Sequence, residues 1–225
     1  AQMPPMPPTD EAIESQTERL IDGPGGPLAL RLYRPSGARE RSPGAGVPLT
    51  VYFHGGGFVL CSLDTHDNIC RRLAAQTGGL VISVDYRLAP EQRYPAAVDD
   101  ALAAVRWVHG HAAELGADAA RIAVAGDSAG GALAAVAAQQ LRGEIALCHQ
   151  LLFYPVTDAA CDSASMQAFE RDAPMLSAEM MRWFWRQYLP ADSVAAANAA
   201  RDPRAAPLRA AELAGVAPAT VITAE

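Results

Sequence analysis

The chain has 225 residues, half of them hydrophobic, which is enough to build the core of one globular domain. Its 25 acidic and 18 basic residues give a formal net charge of −7. This balance argues against nucleic acid or an anionic membrane surface as a partner, because both carry negative charge themselves. No apolar run is long enough to predict a transmembrane helix.

The four cysteines favour a reducing compartment. Cys61, Cys70, Cys148 and Cys161 show neither C-x-x-C pairing nor the spacing of a zinc site. No basic stretch followed by an apolar run marks a secretory leader. We therefore expect free thiols and a cytoplasmic location.

Predicted strands and helices alternate along most of the chain. The predicted strands are Leu28–Tyr33, Leu49–Phe53, Leu80–Val84, Arg121–Ala125, Gln150–Tyr154 and Thr220–Thr223, and the predicted helices are Asp67–Gln76, Ala96–His109 and Ala129–Leu141. Such alternation indicates an α/β fold with a mainly parallel sheet and helices on both faces. The N-terminal stretch has two interpretations, since Thr9 suits the cap of a helix running to Leu20 and Ser15–Ile21 suits a first strand.

A serine stands at a sharp turn between a predicted strand and a predicted helix. Ser128 lies in the pentapeptide Gly126–Gly130, which directly follows the strand ending at Ala125. Glycines on both sides of the serine permit a strained backbone that lifts the hydroxyl clear of the sheet. The helix N-terminus that follows favours developing negative charge. We interpret Ser128 as a nucleophile, and the alternative is an ordinary helix N-cap.

Three successive glycines follow another predicted strand. After Leu49–Phe53 comes His54, and then Gly55, Gly56 and Gly57. Backbone amides without side chains around them can be aimed at a single oxygen, so this loop predicts an oxyanion hole. A flexible linker would not lie between two apolar runs, and a phosphate-binding loop would need a lysine that is absent here.

These motifs resemble those of the bacterial hormone-sensitive-lipase-like family of α/β-hydrolases. The matching segments are HGGG at 54–57, DYRLAPE at 85–91 with YPAA at 94–97, and GDSAG at 126–130. The resemblance extends over nearly the whole chain from Ile21 onward. It implies an α/β-hydrolase fold with a helical cap, a small-molecule ester substrate of short to medium acyl chain, and neither a metal nor an organic cofactor.

The resemblance also implies roles for individual residues. Ser128 is expected to attack the ester carbonyl and form an acyl-enzyme. The amide of Ala129, the residue after the nucleophile, and the amides of Gly56 and Gly57 are expected to stabilise the oxyanion. Three further motif residues are expected to support this arrangement, namely His54, Gly55 and Asp127.

The sequence does not identify a general base or its acid. In α/β-hydrolases an Asp or Glu and then a His follow the nucleophile. In this sequence several acidic residues follow Ser128, but the one histidine after it is His149. His149 lies at the start of a predicted strand, where we expect a structural role. The chain ends at Glu225, just short of where the resemblance places the acid. We therefore expect the acid, the histidine and the rest of the C-terminal part of the fold in residues beyond Glu225 or in a second chain.

The segment 158–190 is much richer in methionine and aromatic residues than the rest of the chain. Ser177–Leu189 is predicted to be a helix with Ser177 as its N-cap. This helix is expected to pack on the core, to belong, as the family implies, to a cap that lines an apolar acyl pocket, or to do both. With residues 1–20 as a possible remnant of an N-terminal cap, the expectation is one hydrolase domain over 1–225 that is incomplete at its C-terminus.

Other interpretations stay open at this point. In the loop Asp85–Pro95, Arg87 and Glu91 are predicted to pair locally rather than to bind substrate. A non-catalytic ligand-binding protein on the hydrolase fold is one alternative function, and a serine amidase or acyltransferase is another. The oligomeric state is open and includes a homodimer.

Overall fold

The structure is a computed structural model, which describes residues 11, 13–37, 46–168, 170 and 176–223. The strands in these ranges are β1 (Ile13–Gly23), β2 (Gly26–Pro35), β3 (Val47–Phe53), β4 (Leu80–Val84), β5 (Ala117–Asp127), β6 (His149–Phe153) and β7 (Ala219–Ile222). The helices are α1 (Asp67–Thr77), α2 (Ala96–Gly110), α3 (Ala129–Gln140), α4 (Ala164–Ala168), α5 (Ala178–Tyr188) and α6 (Ser193–Ala199), followed by a 3₁₀ turn at Pro207–Arg209. None of these helices has the length and apolar character needed to cross a membrane.

All seven strands belong to one sheet, in the order β1-β2-β4-β3-β5-β6-β7. Strand β2 runs antiparallel to both β1 and β4, whereas every pairing from β4 across to β7 is parallel. The mainly parallel sheet predicted from the alternating elements is therefore confirmed. The predicted strands and helices are all present, and most of their ends move by one or two residues.

The N-terminal stretch differs from one of its two interpretations. Residues 13–20 are not a remnant of a helical cap, because they form the edge strand β1. Strand β1 pairs with β2 along its whole length, from Ile13 opposite Pro35 to Gly23 opposite Gly26. The hairpin turn closes at Gly26, whose φ of 122° is open to glycine but strained for other residues. Thr9 lies outside the described residues.

Side chains alternate across the sheet and build one hydrophobic layer on each face. In β3, Val51 and Phe53 belong to the larger layer, which is completed by α2 and α3. Tyr52, between them in sequence, points to the other face and packs with Cys70 and Ala74 of α1. Helices therefore cover both faces of the sheet, as predicted.

Helix α3 is buried along nearly its entire length. Its residues 129–138 are all buried, and most of them are alanine or glycine. Small side chains allow a helix to lie very close to the strand beneath it, and α3 packs mainly on β5 and β6. This packing fixes the position of the helix that follows Ser128.

A buried ion pair holds the loop between β4 and α2. The Arg87 guanidinium donates from Nε to Oδ2 and from Nη2 to Oδ1 of Asp100, each at 2.8 Å. The backbone amide of Arg87 also donates to Oδ2, at 2.9 Å. The Asp100 side chain is only 2% exposed. The predicted local pairing is thus confirmed for Arg87, whereas Glu91 is exposed and pairs with no cation among the described residues.

Replacing Arg87 by methionine is expected to lower the free energy of unfolding by about 3 kcal/mol, because it leaves the Asp100 carboxylate buried without its cation. Urea unfolding of the purified protein measures this loss. Arg106→Gln is the control, since Arg106 belongs to α2, as Asp100 does, but pairs with Glu144 on the surface. Equal losses in the two variants would contradict a special role for the Arg87–Asp100 pair.

Candidate active site

Ser128 adopts a strained backbone conformation between β5 and α3. Its φ is 53° and its ψ is −116°, a combination rarely found outside glycine. The amide of Ser128 donates to the carbonyl of Phe153 at 2.8 Å. The carbonyl of Ser128 accepts from the amides of Ala132 and Val156, each at 3.1 Å. Backbone hydrogen bonds from β6, α3 and the loop after β6 therefore hold the strained turn in place.

The glycines of the pentapeptide are required by close backbone approach. A Cβ atom at Gly126 would lie 2.6 Å from the carbonyl oxygen of Phe53. At Gly130 it would overlap that same oxygen and lie 2.5 Å from the carbonyl oxygen of His54. The first turn of α3 thus lies directly against the end of β3, which brings the serine turn to the glycine loop.

The Ser128 hydroxyl does not cap the helix that follows it. It makes no capping hydrogen bond to the first turn of α3. By contrast, Ser177 is a true N-cap, since its hydroxyl accepts from the amide of Met180 at 3.2 Å. The geometry at Ser128 therefore does not fit the N-cap interpretation, and its side chain borders two cavities instead.

The glycine loop lies beside Ser128 in one of these cavities. Gly56 and Gly57 have φ values of 113° and 62°, and both line the cavity together with Ser128. A Cβ at Gly57 would overlap the ring of Phe184. None of the hydrogen bonds among the described residues uses the amide of Gly56 or Gly57. The amide of Ala129, at the first position of α3, likewise has no acceptor within its own helix.

The carboxylate of Asp127 joins the serine turn to the glycine loop. Its Oδ1 accepts from the amide of Gly55 at 2.9 Å and from the hydroxyl of Tyr52 at 2.7 Å. Nε2 of His66 lies 3.3 Å from the same carboxylate. Burial favours a higher pKa for Asp127, but the hydrogen bond and charge of His66, with those from Tyr52 and Gly55, hold the pKa below its usual value. The group is therefore an anion at neutral pH.

His54 orders the loop and is a poor candidate for a general base. Burial lowers the pKa of its ring to about 4, so the ring is neutral at physiological pH. Its Nδ1–H donates to the carbonyl of Gly55 at 2.7 Å. Its ring stacks on the ring of Tyr86, with the two ring centroids 4.4 Å apart. The Tyr86 hydroxyl in turn donates to the His54 carbonyl at 2.7 Å.

His149 lies far from Ser128. It begins β6, where its Nε2 is 2.9 Å from the hydroxyl oxygen of Thr220. In the parallel pairing of β5 and β6, His149 lies opposite Ala123, whereas Phe153 lies opposite Asp127. Four residues of strand separate the two ends by about 13 Å. His149 therefore lies at the start of its strand, away from Ser128, and its structural role stays a prediction.

Two cavities meet at Ser128. The smaller one has a volume of about 240 Å³, and its walls are mainly apolar: Phe58, Leu60, Val156, Leu176, Met181, Phe184 and Trp185 line it with the two glycines. The larger one has a volume of about 440 Å³ and includes polar groups such as Asp158, Asp162 and Ser163. A molecule bound across Ser128 could therefore place an apolar half on one side and a more polar half on the other.

Helix α5 both packs on the core and lines the site. Trp185 and Tyr188 are buried in the main hydrophobic cluster. The ring of Tyr188 stacks on that of Phe58, with the two ring centroids 3.9 Å apart. Met181, Phe184 and Trp185 also face the smaller cavity. Packing of this helix on the core is therefore confirmed, and the helix also borders an apolar cavity, while its membership of a cap over an acyl pocket stays a prediction.

Some residues of the site carry no signal in the sequence. Tyr52 reads as an ordinary strand residue, and His66 as a polar residue before a helix. Only the folded chain brings them to Asp127, since they precede it by 75 and 61 residues. No local motif or periodicity could have found them.

Comparisons with known proteins agree with this architecture. A sequence model of the α/β-hydrolase fold family matches residues 50–225. Esterase LipI of Mycobacterium tuberculosis is 50% identical over 172 residues, which are 75% of this chain and 52% of the relative. Ethyl acetate hydrolase of Pseudomonas putida is 44% identical over 206 residues, which are 89% of this chain and 61% of the relative.

Solved structures show the same similarity. An esterase from Pyrobaculum calidifontis superposes with a TM-score of 0.85 at 44% identity, over 96% of this chain and 68% of that one. The present chain spans between half and two thirds of the length of the two curated relatives. With its glycine loop, its serine turn and its mainly parallel sheet, the chain belongs to the hormone-sensitive-lipase-like α/β-hydrolases.

Proposed function

We propose that the protein containing this chain is a serine carboxylesterase. The observation that carries the proposal is the position of Ser128, strained at its turn and facing the same cavity as Gly56 and Gly57. The names of the relatives, an esterase and an ethyl acetate hydrolase, support the same class of reaction. A ligand-binding module would have no use for a strained serine beside unpaired amides, so we favour catalysis.

In the proposed reaction, the Ser128 oxygen attacks the carbonyl carbon of the ester and its proton passes to a general base. The carbonyl oxygen becomes an anion that accepts hydrogen bonds from the amides of Gly56, Gly57 and Ala129. Collapse of this intermediate breaks the bond to the alkoxy oxygen, which takes the proton from the base and leaves as the alcohol, while the acyl group stays on Ser128. Water then attacks the acyl carbon, giving its proton through the base to the Ser128 oxygen, and releases the acid. The rings of His54, His66 and His149 contact Gly55, Asp127 and Thr220 instead of the Ser128 hydroxyl, so none of them is assigned as the base.

The walls of the two cavities suggest how an ester would bind. The smaller cavity, with Phe184 and Trp185, fits an apolar acyl chain of short to medium length. The larger cavity, with Asp158 and Ser163, fits the alcohol half, which leaves into a more polar and open space. In this orientation the carbonyl lies at the junction of the cavities, next to Ser128.

Ser128→Ala in the full-length protein is expected to lower the kcat for p-nitrophenyl butyrate by about 10⁴–10⁶-fold, because it removes the nucleophile. The unaltered protein should also gain one fluorophosphonate adduct on Ser128, measured by intact mass and peptide mapping. Ser193→Ala is the control, since Ser193 is exposed and lines neither cavity. Turnover retained by Ser128→Ala would refute the assignment of the nucleophile.

Asp127→Asn is expected to lower kcat by about 10- to 100-fold, because it loosens the link between the serine turn and Gly55.

Asp127→Asn is also expected to lower the free energy of unfolding, by an amount that depends on pH. The folded pKa of Asp127 lies below its unfolded value of about 3.9, so the carboxylate stabilises the fold above that pH. This stabilisation is lost as the pH falls through the folded pKa.

Urea unfolding at a series of pH values tests this expectation. The difference in free energy of unfolding between the unaltered protein and Asp127→Asn should be largest near neutral pH and shrink below about pH 4. Asp22→Asn, at an exposed position of β1, should show neither the kinetic nor the pH-dependent effect. A difference that grows as the pH falls would contradict the assigned direction of the pKa shift.

A further inference from the structure

The C-terminal end of helix α5 is held by two adjacent residues of the loop between β4 and α2. The last carbonyls of a helix find no donor within it. In α5, the carbonyl of Trp185 accepts from the amide of Leu189 at 2.9 Å. The next four carbonyls, at 186–189, all accept hydrogen bonds from Arg93 or Tyr94.

Arg93 supplies most of these bonds. Its Nη1 lies 2.7 Å from each of three carbonyl oxygens, those of Arg186, Gln187 and Leu189. The amide of Tyr94 donates to the carbonyl of Tyr188 at 2.8 Å. The guanidinium also places a positive charge at the negative end of the helix dipole, which is the favourable arrangement.

The same loop also holds the opposite wall of the smaller cavity. The amide of Ala89 donates to the carbonyl of Phe58, directly after the glycine loop, at 2.8 Å. Phe58 in turn stacks on Tyr188 at the end of α5. The loop therefore contacts both elements between which an acyl chain would lie.

Among the described residues, the Arg93 side chain bonds only to the carbonyls of Arg186, Gln187 and Leu189. Arg87, the other cation of the loop, pairs with Asp100 of α2. The N-terminal end of α5 is held independently, by the Ser177 cap and by the pair between Arg182 and Glu170. The C-terminal half of α5, which carries Phe184 and Trp185, is thus held by the packing of Trp185 and Tyr188 in the core and, at its last carbonyls, by Arg93 and the Tyr94 amide.

We propose that Arg93 is a positioning residue that sets acyl-chain preference by fixing the C-terminal half of α5 against the glycine loop. The inference rests on the proposed function, since it concerns the acyl side of that site. Arg93 touches no reacting atom. It acts through Phe184 and Trp185, whose distance from Gly57 and Phe58 determines the width of the smaller cavity.

The test compares Arg93→Gln, Arg93→Lys and the unaltered full-length protein on p-nitrophenyl acetate, butyrate, octanoate and dodecanoate. In Arg93→Gln, the KM for butyrate should rise about tenfold with little change in kcat, because a wider cavity contacts a short chain poorly. Octanoate should lose less, so the preference shifts to longer chains. Arg93→Lys keeps the charge at the helix end and should restore part of the preference for butyrate.

A second measurement does not depend on turnover. Hydrogen–deuterium exchange of the peptide 178–189 should be faster in Arg93→Gln than in the unaltered protein, because the end of the helix frays more readily. Arg186→Gln is the matched control, since it removes a charge from the same helix end. The exposed side chain of Arg186 takes no part in the bonds from Arg93, which go to its backbone carbonyl. Arg186→Gln should keep the chain-length preference of the unaltered protein and should speed exchange of the peptide less than Arg93→Gln does.

The outcomes separate this inference from the proposed function. An unaltered protein that hydrolyses none of the esters would overturn the proposed function and this inference with it. An active protein whose chain-length preference stays the same in Arg93→Gln would overturn this inference alone. If Arg93→Gln does not fold, an unchanged preference in Arg93→Lys, together with unchanged exchange of residues 178–189, would also overturn it.

Discussion

The carboxylate of Asp127 is the constraint on which the geometry of the site depends. It is buried, yet it stays an anion because it accepts from Tyr52 and Gly55 and lies next to His66. A buried anion with several donors fixes all of them at once, since each loses a charged partner if it moves. The serine turn and the glycine loop therefore cannot shift independently of each other, although more than 70 residues separate them.

This constraint explains how the strain at Ser128 is maintained. A non-glycine residue at a φ of 53° costs about 1–3 kcal/mol, and the turn persists because its surroundings determine it from several sides. The amide and the carbonyl of Ser128 are both engaged, and the first turn of α3 lies against Phe53. The hydroxyl makes no capping hydrogen bond to α3, which leaves it available for the nucleophilic role proposed above.

The parts of this arrangement that could be predicted from the sequence are those encoded locally. The strained turn at Ser128 needs glycines two positions away on each side, and the glycine loop is visible as a run of three. Strands and helices followed from the period of their apolar residues. By contrast, His66 and Arg93 act through partners 61 and 93 or more residues away, so nothing in their sequence neighbourhood distinguishes them. The N-terminal stretch was ambiguous because β1 buries little besides Ile21 and takes its order from pairing with β2.

The topology of the sheet explains why these distant residues meet. Strands β4, β3, β5 and β6 are neighbours and parallel, so the loops after them emerge at one edge, where α/β sheets bind ligands. The loop after β3 supplies the glycines, the turn after β5 supplies Ser128, and the loop after β6 supplies Val156 to both cavities. The loop after β4 lines neither of the two cavities, but its residues donate hydrogen bonds to the carbonyl of Phe58 and to the last carbonyls of α5. Because Arg87 fixes this loop to the buried Asp100, the wall that Arg93 positions is anchored in the core rather than in a mobile surface segment.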